Sequence, residues 1–365
     1  MKYIELGEIL DYEQPTKYIV NDTRYNDNYD IPVLTAGQSF ILGYTNENEN
    51  VFEKEKLPVI IFDDFTTSSQ FVDFQFKVKS SAMKILKAKP GVNIKYVYYA
   101  MQMIKFDSQL HKRYWISQYS NIKIPIPDIK IQNDIVKKLD NIKDILDKKD
   151  RQKKILNKLI NSKFIEMFGD INSKKWEEKK LVDLTLKITD GKHGGCQKEE
   201  GSGYYFVGAS EIFDDKINYQ NANEITENDF KKDYNRCDLQ LDDFVIVNTG
   251  ATIGKSAIVT DIKCEKTLLQ KSVALIRTKK DILLPGYLKY CYANNPSLYS
   301  KGQGCARVNL LLSQIKDTTI PVPPIELQKK FLDFINKIDK QKKDIDNSKE
   351  KINKTKESLM NKYFN

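Results

Sequence analysis

The sequence contains few of the residues that usually carry out chemistry. It has only two histidines, His111 and His193, and neither has a second His, Cys or acidic group at the spacing of a metal site. The five cysteines are odd in number, lie from Cys196 onward and form no Cys-x-x-Cys pair, which argues against a disulfide framework and a zinc site. We therefore expect no metal in this chain, and we expect that it is not itself an enzyme.

Long hydrophobic runs are also missing. No stretch approaches the ~18 apolar residues of a membrane span, and Met1-Lys2-Tyr3-Ile4-Glu5 does not resemble the start of a signal peptide. We expect a cytoplasmic protein without a membrane partner.

The glycine motifs of nucleotide sites are absent or incomplete. Gly250-Ala-Thr-Ile-Gly254-Lys255-Ser256 has three residues before its Gly-Lys pair, whereas the Walker pattern requires four. A strand-like run, Ala257-Ile-Val259, follows where a phosphate-binding helix would begin. We expect no nucleotide at this loop.

The composition is that of a globular protein with a moderate positive charge. The 365 residues are 40% hydrophobic and 11% aromatic, which is enough for two or three domains. Lysine and arginine number 59 against 50 acidic residues, giving a net charge of +9. This charge suits a polyanionic partner, although lysines on solvated helix faces explain much of it.

One segment occurs twice. Ile124–Gln132 (IPIPDIKIQ) reappears as Ile320–Gln328 (IPVPPIELQ), and the offset of 196 residues also places Phe168 on Phe364. The prolines favour extended backbone and separate each preceding unit from a lysine-rich segment that follows.

Both lysine-rich segments are predicted to be helices of roughly 36 residues, or about 54 Å. Apolar residues recur along them at the seven-residue spacing of a coiled coil. Pairing within one chain and pairing between chains would use the same seam, so both stay open. The seam residues are Ile135, Leu139, Ile142, Leu146, Leu156, Ile160, Phe331, Ile335, Ile338, Ile345, Ile352 and Leu359.

The material before each helix reads as a mixed globular unit. Strands are expected at Ile31–Gly37, Pro58–Phe62 and Phe71–Val78, and a helix at Ile94–Phe106. A longer second unit repeats this plan, with Phe244–Val247 matching the second of these strands. We predict an α+β fold with an internal pseudo-two-fold repeat. Its regions are a first globular domain (1–123), a first helical region (124–170), a second globular domain (171–319) and a second helical region (320–365).

Polar, basic and aromatic residues gather in matching loops of the two units. Arg reads guanine and Asn or Gln reads adenine in a bidentate way, while Lys and hydroxyl groups hold phosphates. An ordinary turn with satisfied polar groups is the alternative for each residue. The candidate DNA contacts are Thr66, Thr67, Ser68, Gln70, Lys112, Arg113, Tyr114, Trp115, Gln118, Thr189, Asp190, Gly191, Lys192, His193, Thr249, Thr252, Lys255, Ser256, Arg307 and Asn309.

Together these features resemble the specificity subunit of type I restriction-modification systems. The resemblance covers essentially the whole chain and is most specific in the tandem layout and in Ile320–Gln328. Asp190-Gly-Lys-His193 and Thr249–Lys255 also look like sequences that recur in the target-recognition domains of this family. The first unit departs from the pattern, because it has no Asp-Gly-x-His turn.

The resemblance implies a target-recognition domain at each end of an antiparallel helix pair. Each domain would read one half of a split site in double-stranded DNA, and the helices would set the unread spacer. The helices would also dock two methyltransferase subunits and, through them, restriction subunits. S-adenosylmethionine, ATP and Mg are expected on those partners, and this chain should bind no cofactor.

Two other classes of protein remain possible on the residues alone. One is a coiled-coil scaffold whose globular units bind proteins rather than DNA. The other is a single-chain modification enzyme, whose motifs are missing: Asn294-Asn-Pro-Ser297 lacks the second proline and the aromatic residue of an amino-methyltransferase loop.

Overall fold

The computed structural model describes residues 2–35, 39–107, 113–170, 175–213, 215–299 and 309–365. It divides into two compact units. Unit 1 comprises Met1–Arg151 with Ile345–Asn365, and unit 2 comprises Gln152–Asp344. The division falls inside both long helices, so each unit contains a mixed globular part and half of each helix. The fold is α+β, and the four predicted regions remain a prediction.

The first part of the chain alternates short strands with few helices. Its elements are β1 (Lys2–Glu5), α1 (Leu6–Ile9), β2 (Leu10–Glu13), β3 (Ile31–Leu34), β4 (Ile41–Thr45), β5 (Val59–Asp63), β6 (Ser69–Val72), β7 (Lys77–Val78), β8 (Met83–Ala88), α2 (Ile94–Met101), β9 (Lys123–Ile126) and α3 (Ile129–Phe168).

The second part has the same succession with additional elements. These are β10 (Glu178–Lys180), β11 (Thr185–Asp190), β12 (Tyr205–Val207), β13 (Ile212–Phe213), β14 (Lys216–Ile217), β15 (Asn223–Glu224), α4 (Glu227–Cys237), β16 (Phe244–Val247), β17 (Ser256–Ile258), β18 (Thr267–Leu269), β19 (Val273–Thr278), α5 (Pro285–Asn294), α6 (Leu312–Asp317), β20 (Thr319–Pro321) and α7 (Ile325–Phe364).

The two units have corresponding sheets. In unit 1 the strand orders are β2-β8-β5-β6, β4-β3-β7 and β1-β9, and in unit 2 they are β11-β19-β16-β17, β15-β12-β18 and β10-β20. In both three-stranded sheets one pair is parallel, β3 with β7 and β12 with β18. The described part of unit 2 adds the β13-β14 hairpin and α4. The central strands are apolar because both of their faces are buried, as for Val59–Asp63 and Phe244–Val247.

A buried glutamine joins each long helix to its globular part. The Gln132 amide oxygen accepts the backbone N–H of Asn93 at 2.9 Å, and its nitrogen donates to the carbonyl of Pro127 at 2.8 Å. The Gln328 side chain accepts the N–H of Leu284 at 2.9 Å and donates to the carbonyl of Pro323 at 2.9 Å. The two glutamines are the final residues of the duplicated segment, which explains why both copies keep them.

The residues of the predicted seam are all buried or half-buried. In unit 1, Ile135 and Leu139 share a core cluster with Met360 and Phe364. In unit 2, Ile160 shares a cluster with Phe331. Outside the seam, Ile155 and Leu159 lie one helical turn apart and are 63% and 44% exposed. The pairing of α3 and α7 as a coiled coil stays a prediction.

Two local predictions differ from the structure. The predicted strand Phe71–Val78 is interrupted, since β6 ends at Val72 and β7 begins at Lys77. The predicted helix Ile94–Phe106 ends at Met101. Pro285–Gly286 forms the first turn of α5, where proline lacks only an N–H that has no helical partner.

None of the helices in the described part of the chain combines the length and the apolar character that crossing a bilayer requires.

Candidate nucleic-acid interface

In unit 2 the candidate loops meet at one edge of the four-stranded sheet. Strands β11 and β16 both end there, because Asp190 pairs with Ala274 and Val247 with Val273 at the start of the antiparallel strand β19. The turn after β11 and the loop between β16 and β17 therefore lie at the same end of the sheet, on either side of the start of β19. Loops on a rigid sheet edge are a common place for binding residues.

The turn after β11 packs tightly against the backbone of Leu269 and Gln270. A Cβ atom at Gly191 would overlap the carbonyl of Leu269, so the position requires glycine. Lys192 donates its backbone N–H to that carbonyl at 2.7 Å. Thr189 and Asp190 are half-buried, Gly191 is buried, and His193 is the first exposed residue of the turn.

Lys192 is not a free phosphate contact. Its ammonium group forms an ion pair with Asp233 of α4, and its side chain is only 14% exposed. The hydrogen bond with Asp233 raises the pKa of Lys192 above its ordinary value. The lysine that the sequence suggested as a DNA contact is thus occupied within the protein. The accessible group is the imidazole of His193, whose Nε2 atom lies 3.4 Å from the Asp190 carboxylate while 62% of the side chain is exposed.

The β16–β17 loop presents an exposed lysine. Gly254 has φ +89° and packs against the ring of Tyr299, so a side chain there would collide with that ring. Lys255 is exposed, while Thr249, Thr252 and Ser256 are half-buried. The strand β17 begins at Ser256, in agreement with the rejection of a Walker motif.

Two neighbours complete this loop. Asn309 is exposed and forms an isolated bridge with Thr249, which brings it to the same edge. Phe213 on the β13-β14 hairpin is 64% exposed, and Lys255 Nζ lies 5.9 Å from its ring centroid. Phe213 and Lys255 help to line a cavity of about 240 Å³. Sequence reasoning missed Phe213, because only the fold brings this hairpin beside β17.

Unit 1 has a loop in the corresponding position, between β5 and β6. Asp63 organises it by accepting the Thr66 hydroxyl at 2.6 Å and the N–H of Phe65 at 2.9 Å. Thr67 adopts φ +59° at the tip. Thr66, Ser68 and Gln70 are exposed and Thr67 is half-buried, so this edge presents hydroxyl and amide groups.

The aromatic residues of the segment that begins at Arg113 lie in the core, whereas most of its other residues are exposed. Tyr114 and Trp115 are 3% and 2% exposed and belong to the main core cluster of unit 1, which corrects their selection as DNA contacts. Their aromatic character reflects packing against Phe62 and Phe106. Arg113 and Gln118 are exposed and stay candidates. Lys112 and Arg307 lie outside the described residues.

The two edges differ in the group that anchors the loop. In unit 1, Asp64 is buried, accepts the N–H of Trp115 at 2.9 Å and lies 3.4 Å from the ammonium group of buried Lys84. In unit 2, Asn248 takes the place of Asp64, because its carbonyl accepts the N–H of Leu310 as that of Asp64 accepts the N–H of Tyr114.

The cation is replaced as well. Lys84 stands opposite Phe62 in the β5–β8 ladder, and Ala274 stands opposite Ile246 in the β16–β19 ladder. The buried ion pair of Asp64 and Lys84 in unit 1 thus corresponds to two uncharged residues, Asn248 and Ala274, in unit 2.

The exposed groups at both edges are suited to binding a nucleic acid. Hydroxyl, amide, imidazole and ammonium groups can donate hydrogen bonds to phosphates and base edges. Across the described ranges, no group of three or more His, Cys, Asp or Glu side chains is placed to hold a metal ion.

The part of the chain that contains the unit 2 loops is similar in sequence to a known family. Residues 173–354 match the sequence model of the type I restriction modification DNA specificity domain. The specificity subunit of the type I restriction enzyme EcoR124I/EcoR124II from Escherichia coli is 51% identical over 151 residues. That match spans 38% of this chain and 37% of the relative, so only about a third of the curated relative's length is covered.

Solved structures share the fold along the whole chain. The S subunit of a type I restriction-modification system from M. genitalium aligns with a TM-score of 0.56, covering 100% of this chain and 96% of that one. A chain from a structure of complex assembly and conformational transition of the type I R-M system aligns with a TM-score of 0.60, covering 99% and 97%. Both are 14% identical to this chain, so they establish the fold alone.

Proposed function

Through residues 173–354 the chain belongs to the family of type I restriction modification DNA specificity domains, and from this premise we propose that it is a non-catalytic subunit that recognises a DNA sequence. The observation that carries the proposal is the convergence of the candidate residues on one sheet edge. In unit 2, His193, Lys255 and Asn309 are exposed there, and in unit 1 Thr66, Ser68 and Gln70 are exposed at the corresponding edge.

Each unit, in this proposal, reads one half of a split site in double-stranded DNA. The corresponding strand orders favour two readers of one design, and the different loops favour two different half-sites. The helices α3 and α7 pair as an antiparallel coiled coil and set the length of the unread spacer. The burial of the seam residues supports this pairing.

The same helices dock two methyltransferase subunits, which in turn bring restriction subunits. The exposed Ile155 and Leu159 support a protein partner on α3, because adjacent large apolar side chains are costly to leave in water. Catalysis then resides in the partners, which bind S-adenosylmethionine, ATP and Mg and act on an adenine turned out of the duplex. We place the assembled complex in the cytoplasm.

The proposal is tested by purifying the chain with the proteins encoded next to it and sequencing methylated adenines in DNA from the expressing cells. We expect a motif of two specific parts around a fixed gap. We also expect affinity for specific DNA to be weak for the chain alone, to rise with the partner and to fall steeply with salt.

Unmodified DNA despite an intact complex, or binding that salt does not affect, would favour the alternative of a coiled-coil scaffold for proteins. Methyl transfer from S-adenosylmethionine to DNA by the pure chain would instead show that catalysis is its own.

A further inference from the structure

The exposed part of the turn after β11 is tied at both ends to one helix, α4. Before it, Lys192 forms an ion pair with Asp233. After it, Gln197 donates its backbone N–H to the carboxylate of Asp229 at 2.7 Å. The intervening residues include His193, Gly194 and Gly195, which are exposed, and Gly194 has φ +91°.

Arg236 holds the start of the turn from the same helix. Its Nε atom lies 3.0 Å from the carbonyl oxygen of Asp190 and 2.9 Å from that of Gly191. Its terminal nitrogen also forms an ion pair with the Asp190 carboxylate. One planar guanidinium group thus fixes two carbonyls and neutralises one carboxylate, which an ammonium group could not do with the same geometry.

The helix itself is firmly attached to unit 2. Thr226 caps its first turn by accepting the N–H of Asp229, and Phe230 is buried in a cluster with Phe206 and Leu268. On the opposite side, the backbone of Lys192 is bonded to Leu269 and Lys271. The turn is therefore held between two fixed elements, and its accessible side chain is His193.

The geometry points to α4 as the element that presents His193, with the glycines beside it, as a DNA contact of unit 2, and to Asp233 and Arg236 as positioning residues that do not touch DNA. This inference rests on the proposed function. Two glycines without side chains allow a phosphate or base edge to approach the backbone, and the imidazole can donate or accept a hydrogen bond. Arg236 also cancels the charge of Asp190, which would otherwise repel phosphate.

Among the described residues, a helix that holds a turn in this way occurs in unit 2. In unit 1 the described chain between β4 and β5 has a short 3-10 turn at Lys54–Lys56 and no counterpart of α4. The contribution of α4 should therefore appear at one half-site only.

The test compares four variants of the full chain, each co-expressed with its partners. Arg236→Ala removes the clamp, Arg236→Lys keeps the charge, and His193→Ala removes the contact. Lys231→Ala is the control, because it changes the charge of the same helix at a residue that pairs with Glu227, 2.8 Å away, rather than with the turn.

Affinity is measured for the cognate site and for sites with single base-pair changes in each half, and hydrogen exchange is measured across unit 2. His193→Ala and Arg236→Ala should each lower affinity for the cognate site by about tenfold and relax discrimination in one half only. Arg236→Lys should restore part of the loss and Lys231→Ala should have no effect. Exchange in β11, β16 and β19 should stay at the wild-type level.

Arg236→Ala behaving like Lys231→Ala would overturn the inference. So would a loss that affects both halves, or one accompanied by faster exchange throughout the sheet, because either would indicate general unfolding. If the wild-type complex shows no sequence preference, both the proposed function and this inference are wrong. The wild-type measurement alone identifies that case, whereas the variants test only the inference.

Discussion

In unit 1 the loop at the sheet edge is anchored by the buried ion pair of Asp64 and Lys84. The corresponding loop of unit 2 begins at Asn248, and Ala274 takes the ladder position that Lys84 has in unit 1. The strand order beneath the two loops is the same. Unit 2 adds a helix that clamps a glycine-rich turn, and unit 1 has hydroxyl and amide groups around Asp63 instead. A retained scaffold with differently built loops is what two readers of different half-sites require.

The largest expected effect concerns the ion pair of unit 1. Lys84→Ala leaves Asp64 as a buried carboxylate without its cation, and we expect unit 1 to lose about 3–5 kcal/mol of unfolding free energy. The double variant Asp64→Asn/Lys84→Ala recreates the neutral pair of unit 2 and should be more stable than the single variant. Hydrogen exchange resolved by unit measures both. If the double variant is no more stable than Lys84→Ala, the unpaired charge of Asp64 is not the cause of the destabilisation.

A smaller and equal effect is expected for the two buried glutamines. Gln132→Met and Gln328→Met each leave the backbone N–H of a half-buried residue, Asn93 or Leu284, without its acceptor, at a cost of about 1–3 kcal/mol. Urea unfolding followed by exchange in each unit should give similar losses. If only one variant is destabilised, the duplicated segment does not perform the same structural task in both units.

Acid stability should involve one carboxylate in each unit. Burial would raise the pKa of Asp238, but hydrogen bonds from Lys187 and Arg277 outweigh it and hold the pKa below the ordinary 3.8. Burial would likewise raise the pKa of Glu13, but hydrogen bonds from Lys87 and Tyr18 outweigh it and hold the pKa below the ordinary 4.5. Each carboxylate therefore stabilises its unit above its ordinary pKa, and that stabilisation is lost as the pH falls through the lowered value.

We expect Asp238→Asn and Glu13→Gln each to cost on the order of 1 kcal/mol at neutral pH. Each should also reduce the loss of stability of its own unit between about pH 5 and pH 3. Exchange rates measured in both units over this range would check the assignment. If the stability of both variants depends on pH as that of the wild type does, these ion pairs do not determine the acid stability.

The smallest effect is expected at the exposed Lys255. Lys255→Ala should reduce the slope of log affinity against log salt by about 1, as for one lost phosphate contact. Lys280→Ala is the matched control, because this exposed lysine pairs with Asp242 and follows the opposite end of β19. Equal slopes for the two variants would argue that Lys255 is merely solvated.

Periodicity and repetition predicted the parts of this fold that depend on local sequence. The long helices and the strands Val59–Asp63 and Phe244–Val247 follow from heptads and apolar runs. The interruption between β6 and β7 and the early end of α2 were not visible, since no strong turn signal marks either. The candidate site was harder, because burial is a tertiary property. Trp115 and Lys192 have the residue types of DNA contacts, yet one is packed in the core and the other is paired with Asp233.

The most direct test of two independent readers is an exchange of the second globular domain. Residues 171–319 are replaced by the corresponding segment of a family member that specifies a different DNA sequence, and methylated adenines are sequenced in cells that express the complex. We predict that one specific part of the motif changes, while the other part and the gap between them stay the same. A motif that changes in both parts, or in neither, would contradict it.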